Sequence, residues 1–228
     1  MTSQTKSKKF NLKKLLSYVW PFTSEVATDH NGELYLTLVN GRKTLNSKNA
    51  NYSFGSLQQI MEFGLSRIDL KNTKSLLLLL GLGGGSVIVS LRNKFKYEGK
   101  IVAVELDNKV IELAKNEFFI SAFPNLTIHN SDAFEFVKQS NPQYDLVIVD
   151  LFFDNVVPPQ FYSEEFCQNL SSILSEKGSI LFNLGINEID TQKRDEVVDY
   201  FSKKENFSTS LYEKVVDTNF LMVADKLS

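Results

Sequence analysis

Four almost wholly apolar runs constrain this chain more than any other feature: SLLLLLG (75–81), KIVAVEL (100–106), DLVIVDLF (145–152) and GSILFNLG (178–185). A strand with no polar face must be covered on both sides, and that is how strands of a parallel sheet read. Between and after them lie helical patterns at Ser86–Asn93, Lys109–Phe118, Ala133–Gln139, Ser163–Leu174 and Thr191–Lys204. A further short strand, NLTIHN, brings the number of βα units to five. SLYEKVV and FLMVADK, joined at Asp217-Thr218-Asn219, read as a closing antiparallel hairpin. The pattern predicts an α/β, Rossmann-like fold with a mostly parallel seven-stranded sheet.

The segment upstream has a different rhythm. SEVATDH, ELYLTLV and RKTLNS are separated by Asn31-Gly32 and Asn40-Gly41. Asn-Gly between strand-like runs is a strong hairpin signal, because both turn positions take positive φ. This predicts a meander of three antiparallel strands over about residues 24–47, with too little core to stand alone. A helix is expected over Phe54–Ile68, with Ser53 as its N-cap. The expected division is therefore a basic tail and small β meander over 1–52, and a larger α/β domain over 53–228.

Composition excludes several classes of function. Lys+Arg is 25 and Asp+Glu is 27, for a formal charge of -2, which lacks the basic footprint of a general nucleic-acid binder. One Cys and two His rule out a disulfide scaffold, a Cys-based zinc site and a multi-histidine site, so no metal is expected. The apolar stretch Leu15–Phe22 is broken by Ser17, Tyr18 and Pro21, and the run Leu76–Leu80 is too short to span a bilayer. We read a cytoplasmic chain with no membrane partner. Lys6, Lys8, Lys9, Lys13 and Lys14 read as a solvated tail leading into a short amphipathic helix.

Chemistry in such a sheet belongs at the carboxyl ends of the parallel strands. Those ends carry Gly81-Leu82-Gly83-Gly84-Gly85-Ser86, then Glu105, then Asp132-Ala133, then Asp150. The glycines let backbone approach a ligand, and the helix that follows offers free N–H groups. Glu105 stands one βαβ unit beyond Gly81, where an acid can hold both hydroxyls of a ribose. Asp132 can accept a bond from an adenine amino group. Taken singly, Glu105 and Asp132 also fit the role of helix caps; taken in order, the set points to an adenosyl ligand. A P-loop is excluded because no Lys-Ser/Thr follows the glycines. A hydride-transferring dinucleotide site fits less well, because Ser86 stands where its third glycine belongs.

Over roughly residues 24–185 the chain resembles the class I S-adenosylmethionine-dependent methyltransferase fold. Within it, the chain resembles the spermidine synthase (polyamine aminopropyltransferase) family. The resemblance rests on LLLLLGLGGGSV, IVAVELDNKVIELAK, NSDAFEFV, YDLVIVDLFFD and FYSEEFCQNLSSILSEKGSILFN. It implies that Gly81, Gly83, Gly84 and Gly85 shape a cofactor pocket. Glu105 would hold the ribose, and Asp132 with Ala133 the adenine. Asp150 would act beside the sulfonium as general base, with Asp154 as a second acid. Tyr52, Phe152 and Phe153 would border the substrate. Dimers are common in that family, which leaves a homodimer open.

Three departures from the family pattern matter. Its glycine loop usually reads G-G-G-D-G-G, with the Asp on the amine of the aminopropyl group; here that place is Gly84. Its fourth strand usually ends D-S-S-D, whereas Asp150-Leu151-Phe152-Phe153-Asp154 sets the second acid one residue later. Its N-terminal domain is usually longer. An acid about 4 Å from the carboxylate of ordinary S-adenosylmethionine would cost on the order of 4 kcal/mol, so Gly84 favours the ordinary cofactor. The expected function is therefore methyl transfer from S-adenosylmethionine to a small-molecule acceptor. The alternatives are aminopropyl transfer from decarboxylated S-adenosylmethionine, and a non-catalytic relative that binds an adenosyl ligand. Cys167, at helical spacing, reads as core; His129 as structural; His30 as an exposed turn residue; Trp20 and the Phe residues as core.

Overall fold

A computed structural model describes residues 12–48, 51–70, 75–186 and 191–227, with the side chains of residues 51 and 52 outside that description. The expected parallel strands form: β5 (Leu76–Leu80), β6 (Lys100–Glu105), β7 (Leu126–Asn130), β8 (Tyr144–Val149) and β9 (Leu174–Ile186). The hairpin β10 (Phe207–Val215) and β11 (Asn219–Lys226) completes one sheet of order β10-β11-β9-β8-β5-β6-β7. β5 pairs in parallel with both β6 and β8. β11 lies antiparallel to β9.

Each apolar strand splits its side chains between two layers. Leu78, Leu80, Val147 and Val149 face α5 (Ala133–Gln139), α6 (Glu164–Ser172) and α7 (Thr191–Ser202) through Val137, Phe166 and Phe201. Leu77, Leu79, Leu146 and Ile148 face α2 (Gly55–Leu65), α3 (Ser86–Asn93) and α4 (Asn108–Glu117) through Met61, Ile88 and Ile111. The period of two along a strand makes five consecutive leucines serve two cores at once. Cys167 lies inside the first layer, where burial pushes its thiol up to about 12, well away from thiolate chemistry.

The N-terminal sheet has four strands rather than the expected three: β1 (Phe22–Ala27), β2 (Glu33–Val39), β3 (Arg42–Asn46) and β4 (Asn51–Ser53). The fourth falls at the place read as a boundary, so the sheet runs without a linker into α2. The two Asn-Gly turns also differ. Asn40 and Gly41 both take positive φ, 50° and 73°, as a two-residue turn requires. The first connection is longer, because β1 ends at Ala27 and only Gly32 of the pair has positive φ. Thr28 closes that loop, its amide and hydroxyl both donating to the Gly32 carbonyl.

The longer loop reaches the α/β sheet. The His30 amide donates to Asp107 Oδ2 at 2.8 Å, and the Asn31 side chain donates to the same oxygen at 3.3 Å. Asp107 Oδ1 caps α4 through the amides of Lys109 and Val110. Burial alone would raise this carboxyl, but these hydrogen bonds overcome it and hold the acid below the usual range. A small cluster of Leu34, Leu45 and Val110 seals the same junction. α1 (Leu12–Leu16) is short and carries no buried residue; Leu12, Leu15, Leu16 and Trp20 are exposed rather than core. No helix of the described residues is long and apolar enough to cross a membrane.

Asp107→Ala removes a cap and leaves loop amides unpaired. We expect it to lower stability by roughly 2–4 kcal/mol in urea unfolding. It should also speed hydrogen exchange at His30 and Asn31; unchanged exchange there would show that Asp107 is not the tether.

Candidate active site

The sheet order reverses between β5 and β8, and the crevice at that point opens at their carboxyl ends. The two strand ends approach very closely. The Asp150 amide donates to the Leu80 carbonyl, and a Cβ placed on Gly81 would lie 2.0 Å from the Asp150 carbonyl oxygen. Gly81 also holds φ at +90°. No other residue fits both constraints. Next to it opens a cavity of about 310 Å³, a size suited to a small ligand.

Gly81, Gly83, Glu105, Asp132, Ala133 and Asp150 all line this cavity. Glu105 is 5% exposed; its Oε2 accepts from the Gly83 amide and its Oε1 from the Asp107 amide, each at 3.1 Å. Burial pushes its carboxyl above the usual range, against the pull of those amides. The Leu82 amide also pulls on this carboxyl, and a carboxylate has about four acceptor positions, so one is left for a ligand. Asp132 caps α5, with Oδ1 accepting from Phe134 and Glu135 at 2.8 and 3.1 Å. The acid therefore takes the cap role as well as facing the cavity.

Gly84 and Gly85 do not line the cavity. A Cβ on Gly84 would meet Ser53 Oγ at 2.9 Å and the Phe118 ring at 3.1 Å. A Cβ on Gly85 would meet Ile120 at 2.5 Å. Both glycines serve packing of the loop against its neighbours. Ser53 does not cap α2; Phe54 holds that position, with φ at 70° and its ring stacked on Phe118 at 4.6 Å. The Ser53 hydroxyl instead accepts from the Ser86 amide at 3.4 Å.

Asp150 sits at the foot of the cavity. Burial raises its carboxyl to about 6, with a hydrogen bond from Asn183 pulling the other way. The Asn183 side-chain amide donates to Asp150 Oδ1 at 3.0 Å. The loop beyond Asp150 forms a wall of the cavity through Phe152, Phe153 and Asp154. Phe152 packs on the core, whereas Phe153 is 53% exposed at the rim. Asp154 has a left-handed φ of 55° in the turn between Phe153 and Val156, and accepts a bond from the Ser47 hydroxyl. The side chain of Tyr52 lies outside the described residues. His129 packs against Phe136 with its ring tilted by 51° and does not line the cavity, while His30 does. Three functional candidates escaped the sequence reading: Asp107, Asn183 and Asn219. A lone Asn inside the apolar run SILFNLG was the available signal for Asn183.

The raised Asp150 carboxyl has a cost in stability. Its folded-state value of about 6 exceeds the ordinary 3.8, so the penalty is absent below pH 4 and complete above pH 6. By linkage it reaches at most about 3 kcal/mol. We expect Asp150→Asn, which keeps an acceptor for Asn183, to be the more stable protein at pH 8. The difference should vanish near pH 3.5. Equal urea midpoints at both pH values would show that Asp150 is not destabilised by burial.

The family comparison agrees with this geometry. Residues 56–216 match the spermine/spermidine synthase domain. A polyamine aminopropyltransferase of Saccharolobus solfataricus is 37% identical over 122 residues, 49% of this chain and 38% of that protein. An eEF1A lysine and N-terminal methyltransferase of Bos taurus is 30% identical over 126 residues, 50% of this chain and 18% of that protein. The matched stretch thus spans well under half of either relative. Human methyltransferase-like protein 13 in complex with SAH superposes with a TM-score of 0.60 at 24% identity, covering 77% of this chain and 83% of that one. That likeness shows the fold, a class I methyltransferase-like α/β sheet with an added N-terminal antiparallel sheet. A strand-end glycine loop, four carboxylates facing one cavity and a family match over residues 56–216 lead to one assignment: the chain belongs to the spermine/spermidine synthase domain family.

Proposed function

We propose that this chain is a transferase that binds S-adenosylmethionine in the cavity and passes its methyl group to an amine nitrogen of a small-molecule acceptor. The residues fit such a ligand. Gly81 lets the loop turn tightly against the Asp150 carbonyl at the cavity's edge, the remaining acceptor position of Glu105 suits a ribose hydroxyl, and Asp132 and Ala133 stand one strand further along for the base. The ligand supplies a carbon activated by a positively charged sulfur. Asp150 offers a carboxylate beside that charge above about pH 6. As the amine nitrogen bonds to the carbon, the C–S electron pair returns to sulfur and the surplus proton on nitrogen passes to Asp150. An amine acceptor is supported by the two relatives, whose names describe transfer to lysine and N-terminal amines and to polyamines.

The observation that carries methyl over aminopropyl transfer is the filling of the space over Gly84 by Ser53 and Phe118. The family's amine-binding acid has no counterpart there, and no room for one. An aminopropyl group would lose that anchor, and the carboxylate of the ordinary cofactor would meet no acid from this position. The aminopropyl reading keeps one point in its favour, a second acid, Asp154, on the same cavity.

Thermal shift with S-adenosylmethionine, its decarboxylated form, S-adenosylhomocysteine and methylthioadenosine tests this. A ligand at about 100 times its Kd adds about 2.7 kcal/mol, roughly 5–10 °C for a chain of this size. We expect the shift with S-adenosylmethionine and S-adenosylhomocysteine. Preference for the decarboxylated form and methylthioadenosine would establish the aminopropyl reading; no shift with any would establish a non-catalytic relative. Turnover should rise with pH through about 6 and vanish in Asp150→Asn with ligand binding retained. Gly84→Asp alone should not create aminopropyl activity, and should cost about 1–3 kcal/mol of stability by overpacking against Ser53 and Phe118.

A further inference from the structure

A chain of hydrogen bonds, buried at its two asparagines, runs from the half-buried Asp150 to the exposed turn of the far hairpin. Asn183 Nδ2 donates to Asp150 Oδ1 at 3.0 Å. Asn183 Oδ1 accepts from Asn219 Nδ2 at 2.9 Å and from the Gly185 amide at 3.4 Å. Asn219 Oδ1 accepts from the Thr218 hydroxyl at 2.8 Å. Asn183 is 0% exposed and Asn219 6%. Asp150, Thr218 and Asn219 all line the cavity.

Each link fixes the next. A carboxylate only accepts and a backbone amide only donates, so Asn183 has one possible orientation between Asp150 and Gly185. Its oxygen then faces Asn219, which must donate, and the oxygen of Asn219 must face a donor, the Thr218 hydroxyl. No link can be reversed without setting two like groups against each other in a buried place, at a high cost. The three residues come from two different strands and the turn that precedes β11, and nothing in the packing of an apolar core asks for them there.

We propose that Asn183 and Asn219 are positioning residues for Asp150, and that the one-way chain from Thr218 holds the carboxylate in place while leaving the Thr218 oxygen free to accept from the acceptor substrate. The proposal rests on the transferase reading for the role of Asp150, but the chain itself is testable without turnover. The Thr218 hydroxyl lies 2.8 Å from Asn219 Oδ1 and 3.4 Å from the Val216 carbonyl; with its proton on the shorter bond, its lone pairs are left for a ligand that donates, as an amine does. The other ionisable groups around the cavity are Glu105 at the end of β6, Asp132 at the head of α5, Asp154 in the loop after β8 and His30 in the β1–β2 loop. None of them is among the causes that move Asp150, which are burial and Asn183.

The test is a ¹³C-carboxyl NMR titration of Asp150 in the ligand-free full chain, for the unmodified protein, Asn183→Leu, Asn219→Leu and Thr218→Val. Losing the one donor to Asp150 found among the described residues should raise the midpoint in Asn183→Leu by about one pH unit. Asn219→Leu takes the shorter of two donors from Asn183 Oδ1, loosens the Asn183 side chain and should give a smaller rise in the same direction. Thr218→Val, at an exposed turn, keeps the fold; as the outermost link it should move the midpoint less than Asn219→Leu does, and raise KM for the acceptor several-fold with kcat little changed. An unmoved midpoint in folded Asn183→Leu or Asn219→Leu overturns the positioning role, whatever happens to activity. If the midpoints move as expected while no acceptor is ever turned over, the transferase reading fails and the hydrogen-bond chain stands. If both variants at 183 and 219 unfold, an unchanged acceptor KM in Thr218→Val overturns the proposal.

Discussion

The structure depends on the close passage of two strand ends, where Gly81 turns away from β5 beside the carbonyl of Asp150. With only 2.0 Å between that oxygen and a notional Cβ, the contact allows one residue type and one local backbone shape. It brings the glycine loop from one strand and the acid from the next against the same cavity. The five leucines of β5 hold the passage in place from below, since their two faces anchor both helical layers. Fold and site therefore share a foundation: a shift of β5 relative to β8 would open the crevice and unpack both cores together.

Around that foundation the charges are arranged against their own preference. Glu105 and Asp150 are both pushed up by burial, and each is partly compensated by donors rather than by cations. Donors without positive charge keep the cavity electrically open. A cationic ligand entering such a space would meet acids that no protein cation already holds. Asp107, only two residues from Glu105, is held low by amides that come mostly from elsewhere in the chain. The same residue type thus serves as a tether in one place and as an unsatisfied acid in another.

The large features of this architecture were legible in the sequence because burial on both faces leaves an unmistakable apolar record. The α/β sheet, its closing hairpin and the order of Gly81, Glu105, Asp132 and Asp150 at strand ends follow from that record. What stayed hidden depends on contacts between distant segments. Asn31-Gly32 has the composition of a tight turn, yet the pull of Asp107 on His30 and Asn31 draws it into a longer loop. Ser53 has the composition of a cap, yet its hydroxyl is used by the Ser86 amide. Gly84 and Gly85 sit in a cofactor-like loop, yet face Ser53, Phe118 and Ile120. Asn183 was visible as a polar residue in an apolar strand, but its partner Asn219 lies 36 positions away and no local pattern joins them.

The tether at Asp107 has a consequence for how portable this domain is. The recognisable family segment begins at residue 56, after the whole antiparallel sheet, whose loop shares its anchor with the cap of α4. A shuffled or transplanted module cut at that border would leave α4 capped but strip one face of the cavity and bare the patch that Leu34 and Leu45 cover. The unit that can move intact is larger than the segment that the family match covers. Variation in the small sheet is then free to reshape what enters the cavity without touching the residues that define the family.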